Sequence, residues 1–318
     1  MAFYIGVDGG GTKTAFALFD ETEAMLASVT GPGSNHENLD TGFDGAAEIL
    51  MEGIGALCET AGIALADVEF TLMGLAGIDH PFQHDALCAR LSEKGLTHFE
   101  IFNDGFIVVK AGASSRAAIG FNCGTGVCCN GVGDDGTMLQ RGGLGDFTGD
   151  CSGGENLCVA VVRMIYDELF LGLDRTKLTA LVGAAYGFSA REDYLTLIER
   201  LEGPDAAKTA RDLVGFFFEA AKQGDGPALA YCARMAERGA QLIAALTREL
   251  QFESSPIEVV LSGSINVKLE NDAYLEMLQE KARALSGKEL RFIKLTAMPV
   301  TGCVRWIKQD FCGAGEKA

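Results

Sequence analysis

The stretch Ile5–Thr14, IGVDGGGTKT, decides the fold class of this chain. An apolar run at 3–7 precedes the glycines and a second one, TAFALF at 14–19, follows them, so we predict two strands around a glycine turn. A tight hairpin needs one or two glycines, whereas this turn has three in a row. The extra glycines leave backbone N–H groups bare, and such groups bind anions. The turn therefore predicts a phosphate-binding loop.

The side chains of this turn suit a nucleotide with its metal ion. Gly10 and Gly11 let the backbone pass close to a phosphate, Thr12 adds a hydroxyl and Lys13 offsets negative charge. Asp8, at the end of the strand, is placed to hold Mg²⁺ directly or through water. The Gly-Lys-Ser/Thr of a Walker loop is missing, and a strand follows where a dinucleotide site would have a helix. A glycine-rich hairpin with an exposed lysine is the alternative.

The same pattern begins again at residue 117, with AAIGFNCGTGVCCNGVG. Ile5-Gly6 recurs as Ile119-Gly120 and Gly10 recurs as Gly124 at the same offset, which suggests two related halves. Elsewhere strands alternate with helices, predicted at 43–62, from Pro81 to about 94, and at roughly 266–286. This alternation predicts an α/β fold.

Three further segments are candidates for chemistry. Gly124-Thr125-Gly126 resembles the first turn and could bind a second phosphate, or be an ordinary hairpin. Asp104 ends a short strand, where a carboxylate could take a proton from a hydroxyl nucleophile, or cap a helix. Residues 142–154, GGLGDFTGDCSGG, hold too many glycines for a helix and predict either a ligand-binding loop or a flexible lid.

The composition excludes several classes of function. A formal net charge of −18 argues against a groove for nucleic acid and against an anionic membrane surface. No apolar run is long enough to span a bilayer, no signal peptide is evident, and the cysteines lack zinc-ribbon spacing, so we expect a cytoplasmic protein with reduced thiols. His80 and His84 are four residues apart, but Pro81 between them argues against a metal site.

Nine segments carry a resemblance to a known family, in this order: DGGGTKT, SNHEN, GLAGID, NDGF…KAG, GTG, GGLGDFTGD, GDGPA, VVLSGS and PVTGC. They resemble the N-acetylglucosamine kinase-like branch of the family that also holds the benzoyl-CoA reductase activators, within the superfamily of acetate and sugar kinases, heat-shock ATPases and actin. The resemblance runs from about residue 4 to 306. It implies two ribonuclease-H-like domains flanking a nucleotide cleft: 1–116, joined by a helix at 299–318, and 117–298 with a helical insertion.

The resemblance also implies an activity and its residues. The activity is phosphorylation of a hydroxyl of N-acetylglucosamine or a related amino sugar by ATP and Mg²⁺, with Asp104 as the general base and Asp8 associated with Mg²⁺; a homodimer is conceivable. The implied ATP-binding residues are Gly10, Gly11, Thr12, Lys13, Gly124, Thr125, Gly126, Ser262, Gly263 and Ser264. The implied sugar-binding residues are Asn35, Asp104, Gly143 and Asp150.

Three departures from the family pattern concern the sugar. Leu144 stands where an aromatic residue is usual, Val127-Cys128 where a polar pair is common, and Cys151 where a glutamate is frequent. Two other functions stay open. An ATPase activator of a 2-hydroxyacyl-CoA dehydratase or benzoyl-CoA reductase would use cysteines to hold a shared iron–sulfur cluster. A non-catalytic sugar sensor would keep the fold without turnover.

Overall fold

The glycine turn at the start of the chain joins two antiparallel strands, as predicted. The computed structural model describes residues 2–188 and 191–312. Strand β1 (Phe3–Gly9) pairs with β2 (Lys13–Phe19). Asp8 lies opposite Ala15 on β2, so its carboxylate sits at the end of the strand that leads into the turn.

The first five strands form one sheet. To β1 and β2 it adds β3 (Met25–Pro32), β4 (Val68–Leu75) and β5 (Phe99–Asn103), in the order β3-β2-β1-β4-β5. Strands β4 and β5 run parallel to β1, so the carboxyl ends of all three strands meet at one edge. The helices between them are α1 (Gly42–Ala61), α2 (Pro81–Glu93) and α3 (Asp104–Gly112).

Helix α1 shows why these segments fold as they do. Its apolar residues recur at helical spacing and pack on one face of the first sheet. It ends at Gly62, whose φ of 69° is the left-handed conformation that favours glycine at a helix end. The residues of α1 that this packing buries are Ala46, Ala47, Leu50, Ile54 and Leu57.

The second half of the chain builds a sheet with the same strand order. Its order, β10-β9-β6-β7-β8, is that of the first sheet read from the opposite end, with β6 and β7 antiparallel and β9 parallel to β6. The internal repeat is therefore confirmed in the topology. The strands are β6 (Ala118–Cys123), β7 (Val127–Val132), β8 (Met138–Gly142), β9 (Ile257–Ser262) and β10 (Leu290–Lys294).

The helices of the second half surround a large apolar core. They are α4 (Gly154–Tyr166), α5 (Lys177–Tyr186), α6 (Tyr194–Glu202), α7 (Ala206–Lys222), α8 (Gly226–Glu249), α9 (Ser264–Lys268) and α10 (Asp272–Ser286), and the last helix is α11 (Thr301–Trp306). Short turns of 3-10 or π-helix occur at His36–Asn38, Leu65–Asp67, Gly145–Thr148, Asp167–Leu171, Arg191–Asp193 and Ile307–Phe311.

One helix prediction was wrong in detail. The single helix expected at 266–286 is divided, because α9 ends at Lys268 and α10 begins at Asp272. Asn271 lies between them in a non-helical conformation, and its Nδ2 donates to the carbonyl of Ile265. The amide thus satisfies a carbonyl that a continuous helix would have paired internally.

The chain divides into two compact units. The first extends to Arg116 and includes the segment from Leu295 onward, and the second is Ala117–Lys294. Within the first unit α11 packs against α3 and β1, and the ring of Trp306 stacks on Phe102 with centroids 4.0 Å apart. No helix of the described residues is long and apolar enough to cross a bilayer.

Candidate active site

The first glycine turn is a tight loop with two bare backbone donors. The N–H of Gly10 donates to the carbonyl of Lys13 at 3.0 Å and closes the turn, while the N–H of Ser34 donates to the carbonyl of Gly10 at 3.1 Å. Among the residues that the structure describes, the N–H groups of Gly11 and Thr12 have no backbone or side-chain acceptor. Both are therefore available to an anion, as the sequence predicted for this turn.

Close packing fixes this loop in place. A side chain at Gly33 would bring its Cβ within 2.3 Å of the carbonyl oxygen of Gly11, and one at Gly9 would come within 2.4 Å of the Ser34 hydroxyl. The turn thus rests directly on the segment that follows β3. A residue larger than glycine at position 9 or 33 would clash at this contact.

Asp104 follows strand β5, which lies beyond β4 from the first turn, at the same edge of the sheet. It is the first residue of α3, and Asn103 before it caps the helix by accepting the N–H of Gly105 at 2.9 Å. The Nδ2 of Asn103 donates to Asp79 Oδ1 at 3.0 Å. Asn103 therefore links the loop after β4 to the start of α3.

Two neighbouring carboxylates, Asp8 and Asp79, act on Asp104 at this edge. Burial, together with the negative charges of Asp8 and Asp79, raises the pKa of Asp104 to about 7. Burial also raises the pKa of Asp8 to about 6, against the opposing effect of the Lys13 ammonium. Asp79 was not among the site residues predicted from the sequence. Its position in the loop that follows the carboxyl end of a parallel strand, β4, was the available signal.

The residues around Asp8 fit a hydrated divalent cation beside phosphate. Half-buried carboxylates supply the hard oxygen donors that Mg²⁺ prefers, and a cation would offset the cost of burying their charge, which raises both pKa values. A cavity of about 260 Å³ adjoins them within the first unit. It is lined by Asp8, Gly10, Thr12, Lys13, Ala15, Met298, Pro299 and Val300.

Asn35 occupies a fixed position in the first unit. Its Oδ1 accepts the N–H of Glu37 at 3.0 Å, and its Nδ2 lies 3.5 Å from the Glu37 carboxylate. Gly77, with φ of 82°, lies so close that a Cβ there would be 2.4 Å from Asn35 Oδ1. The segments SNHEN and GLAGID, which are distant in sequence, are therefore in direct contact.

The second glycine turn, in the second unit, also leaves donors bare. The N–H of Gly124 donates to the carbonyl of Gly126 at 3.0 Å, and the N–H of Gly154 donates to the carbonyl of Gly124 at 2.8 Å. Within residues 2–188 and 191–312, the N–H groups of Thr125 and Gly126 have no protein acceptor. Asn122 stands before this turn at the position that Asp8 has before the first.

The turn Ser262-Gly263-Ser264 packs behind the second glycine turn. Ser262 is buried and its hydroxyl donates to Asn122 Oδ1 at 3.1 Å, so this side chain supports the loop from within. Gly263 has φ of 84°, and a Cβ there would lie 2.3 Å from the carbonyl oxygen of Cys123. Ser264 begins α9. Only glycine fits at position 263, between the end of β9 and the end of β6.

Asp150 holds the glycine-rich loop of the second unit. Its Oδ2 accepts the N–H groups of Gly143 at 2.9 Å and Gly145 at 3.1 Å, and the hydroxyl of Thr148 at 3.1 Å. Its Oδ1 is buried and accepts no hydrogen bond within the described part of the chain. Gly143 is thereby fixed through its backbone, while Leu144 next to it is 59% exposed.

A family model decides the assignment. The model described as the BadF/BadG/BcrA/BcrD ATPase family matches residues 5–291. The chain belongs to this ATPase family. The resemblance noted in the sequence is confirmed, and with it the use of ATP.

The relatives found for this ATPase chain are sugar kinases. The N-acetyl-D-glucosamine kinase of Dictyostelium discoideum is 26% identical over 234 residues, which cover 70% of this chain and 72% of that protein. An N-acetylmuramic acid/N-acetylglucosamine kinase of Clostridium acetobutylicum is 26% identical over 166 residues, or 51% of this chain and 53% of that protein. In that second match the chain spans about half the length of the relative.

A solved structure confirms the fold class. The putative N-acetylglucosamine kinase from Chromobacterium violaceum superposes with a TM-score of 0.68 at 20% identity, and the match covers 96% of this chain and 98% of that one. The predicted α/β architecture of two related halves is therefore correct.

Proposed function

We propose that this protein is an ATP-dependent sugar kinase that phosphorylates a hydroxyl of N-acetylglucosamine or a related amino sugar. One observation carries the proposal: Asp104 is held directly after β5, beside Asp8 and Asp79, with a pKa near 7. A general base works best when its pKa lies close to the working pH. The two curated relatives, both kinases of N-acetylated amino sugars by name, support the same reading.

In this proposal Asp104 accepts the proton of the attacking sugar hydroxyl. The N–H groups of Gly11 and Thr12 donate to phosphate oxygens of ATP, and Lys13 offsets part of their charge. Mg²⁺, held by Asp8 directly or through water, would supply further neutralisation of the phosphate charge when bound.

The second glycine turn has the corresponding task in the second unit. The bare N–H groups of Thr125 and Gly126 donate to phosphate oxygens of the nucleotide. Gly263 and Ser264 support this turn, and Ser262 acts through Asn122, because its hydroxyl is occupied by that amide.

Two side chains are proposed for the sugar hydroxyls and the N-acetyl group. Asn35 makes only a long contact through Nδ2, which leaves that amide able to donate. Asp150 orders the loop that contains Gly143, and its second oxygen is a buried acceptor. The exposed Leu144 stands where an aromatic residue is usual in the family, so the choice among amino sugars is where we expect this chain to differ from relatives.

The test is ADP release from Mg-ATP in the presence of single sugars. The panel is N-acetylglucosamine, glucosamine, N-acetylmannosamine, N-acetylmuramic acid, glucose and no sugar. We expect turnover that depends on an N-acetylated amino sugar. ADP release without any sugar would favour an ATPase activator instead, and no release at all would favour a sensor.

A matched pair of variants tests the base. Asp104→Asn should lower kcat by about 10²–10⁴ while ATP still binds, because the amide keeps the shape and cannot take the proton. Asp174→Asn removes an exposed carboxylate of the second unit and should leave kcat unchanged. Near-normal turnover of Asp104→Asn would refute the assignment of the base.

A further inference from the structure

Helix α2 and strand β5 bring three different donor side chains together outside the candidate active site. His84 and Cys88 are one helical turn apart on α2, and Glu100 lies on β5. His84 Nε2 is 2.8 Å from Glu100 Oε1, and Cys88 Sγ is 3.7 Å from His84 Nε2. One nitrogen, one sulfur and one oxygen atom thus lie within 4.8 Å of one another.

The donor set is selective for one kind of cation. Imidazole and thiolate bind zinc and similar borderline metals, whereas Mg²⁺ and Ca²⁺ require oxygen ligands. Ligands of a tetrahedral zinc ion lie about 3.5 Å apart, given metal–ligand distances of about 2.0–2.3 Å. The separation of Sγ and Nε2 already matches that spacing. The shorter contact of Nε2 with the Glu100 carboxylate is a hydrogen bond whose proton a metal ion would replace.

A neighbouring carboxylate orients the histidine. His84 Nδ1 is 3.1 Å from Asp85 Oδ1, so that nitrogen is the donor to a carboxylate and Nε2 faces the other two side chains. Histidines that bind metals are commonly oriented in this way by a carboxylate. The side chains of His84 and Glu100 are 37% and 33% exposed, which leaves a path for an ion from solvent.

We propose that His84, Cys88 and Glu100 bind one Zn²⁺ ion, with water in the fourth position. The sequence drew attention to His80 as the partner of His84, and that pairing does not form: His80 precedes α2 and its ring stacks on Phe82. Three protein ligands with an open position suit a zinc ion that can also be removed. The ion would join α2, which follows Asp79, to the strand that leads to Asp104.

The experiment titrates the chelator-treated, reduced full-length protein with Co²⁺ and then displaces Co²⁺ with Zn²⁺. We expect one Co²⁺ per chain with a near-ultraviolet thiolate-to-cobalt charge-transfer band, and displacement of that band by one equivalent of Zn²⁺. Cys88→Ser should abolish the band, and His84→Gln and Glu100→Gln should each weaken binding. Asp85→Asn should weaken it by about tenfold, as expected for a group that orients a ligand.

Two matched controls separate this site from other thiols and histidines. Cys312→Ser removes an exposed cysteine and His80→Gln removes the neighbouring histidine, and both should keep the band and its stoichiometry. Zn²⁺ should also raise the Tm of the unaltered protein and of both controls, and should raise that of Glu100→Gln by less. Glu100→Gln retains all thiols, so this comparison still tests the site if Cys88→Ser fails to fold. Absence of the band in the unaltered protein, or its survival in Cys88→Ser, would overturn the proposal.

Discussion

The two sheets share a strand order but differ in the chemistry of the edge at which their central strands end. In the first sheet Asp8 is the last residue but one of β1 and Asp104 follows β5. In the second sheet Asn122 stands at the position of Asp8, and Leu295 and Thr296 follow β10 where Asp104 would stand. Both edges keep a glycine turn with two bare N–H groups. In the described part of the chain the repeated topology therefore supplies two turns with bare donors, and the first of them is combined with the carboxylates of Asp8 and Asp104.

This difference has an energetic side. Burial disfavours the charge of both carboxylates at the first edge and raises the pKa of Asp104 and of Asp8, and the negative charges of Asp8 and Asp79 add to the effect on Asp104. At the second edge Asn122 and the buried Ser262 form a neutral hydrogen bond, and such a pair carries no comparable cost. We assign the chemistry to the first edge, where the folded protein holds carboxylates whose charge is disfavoured.

The largest expected effect comes from making the first edge resemble the second. Asp8→Asn should lower sugar-dependent ADP release by roughly a hundredfold or more, because it removes the negative charge that we propose binds Mg²⁺. The dependence on Mg²⁺ concentration should shift upward with it. The reciprocal variant, Asn122→Asp, adds a negative charge beside the second turn and should weaken ATP binding without changing the Mg²⁺ dependence. Equal behaviour of the two variants would contradict the contrast between the edges.

The next effect concerns stability at the second edge. Gly263→Ala should lower the free energy of unfolding by about 1–3 kcal/mol, because the residue has a positive φ and its Cβ would meet the Cys123 carbonyl. Gly126→Ala is the control for unfolding, since a Cβ there would have no neighbour within 4 Å. Urea denaturation of both variants measures the difference. A Gly263→Ala protein as stable as Gly126→Ala would show that the turn can move away from Cys123.

These two edges also show how far the sequence could be read. The hairpin at Asp8, the repeat near Gly124 and the helix 42–61 were predictable, because local glycine patterns and apolar periodicity determine them. The edge strand β3, MLASVTGP, was not predicted, because it alternates half-buried with exposed residues and contains glycine and proline. Its strand conformation depends on pairing with β2, which sequence periodicity does not show.

The sequence predicted the candidate active site about as fully as it predicted the fold. Asp104 could be proposed as a base from its place after a short strand, whereas the influence of Asp79 on it depends on the folded loop after β4. The grouping of Cys88 and Glu100 with His84 likewise joins two elements of the fold. Each residue that the sequence analysis missed belongs to the site through contacts between segments that are distant in the sequence.

A smaller effect tests the influence of Asp79 directly. Asp79→Asn should lower the pKa of Asp104 below about 7, because one of the neighbouring negative charges is removed. The carboxyl ¹³C chemical shift of Asp104, followed against pH in the ligand-free protein, measures this. Asp44→Asn, at an exposed carboxylate on α1, is the control and should leave the titration in place. An unchanged Asp104 titration in Asp79→Asn would assign the raised pKa to burial and to Asp8 alone.

The smallest effect is on the pH dependence of stability, and its sign follows from the raised pKa. In the unfolded chain Asp104 titrates near 3.8, and in the folded chain near 7, so the folded state binds the proton more tightly. Stability from this group is therefore complete below 3.8 and is lost as the pH rises through 7. Asp104→Asn removes that loss, so its Tm should exceed that of the unaltered protein by a few degrees at pH 8 and match it more closely near pH 4. Asn122→Ser, at the neutral edge, should change the Tm by the same amount at both pH values. A Tm difference for Asp104→Asn that does not vary with pH would mean that the two edges do not differ in buried charge, whatever their sequences suggest.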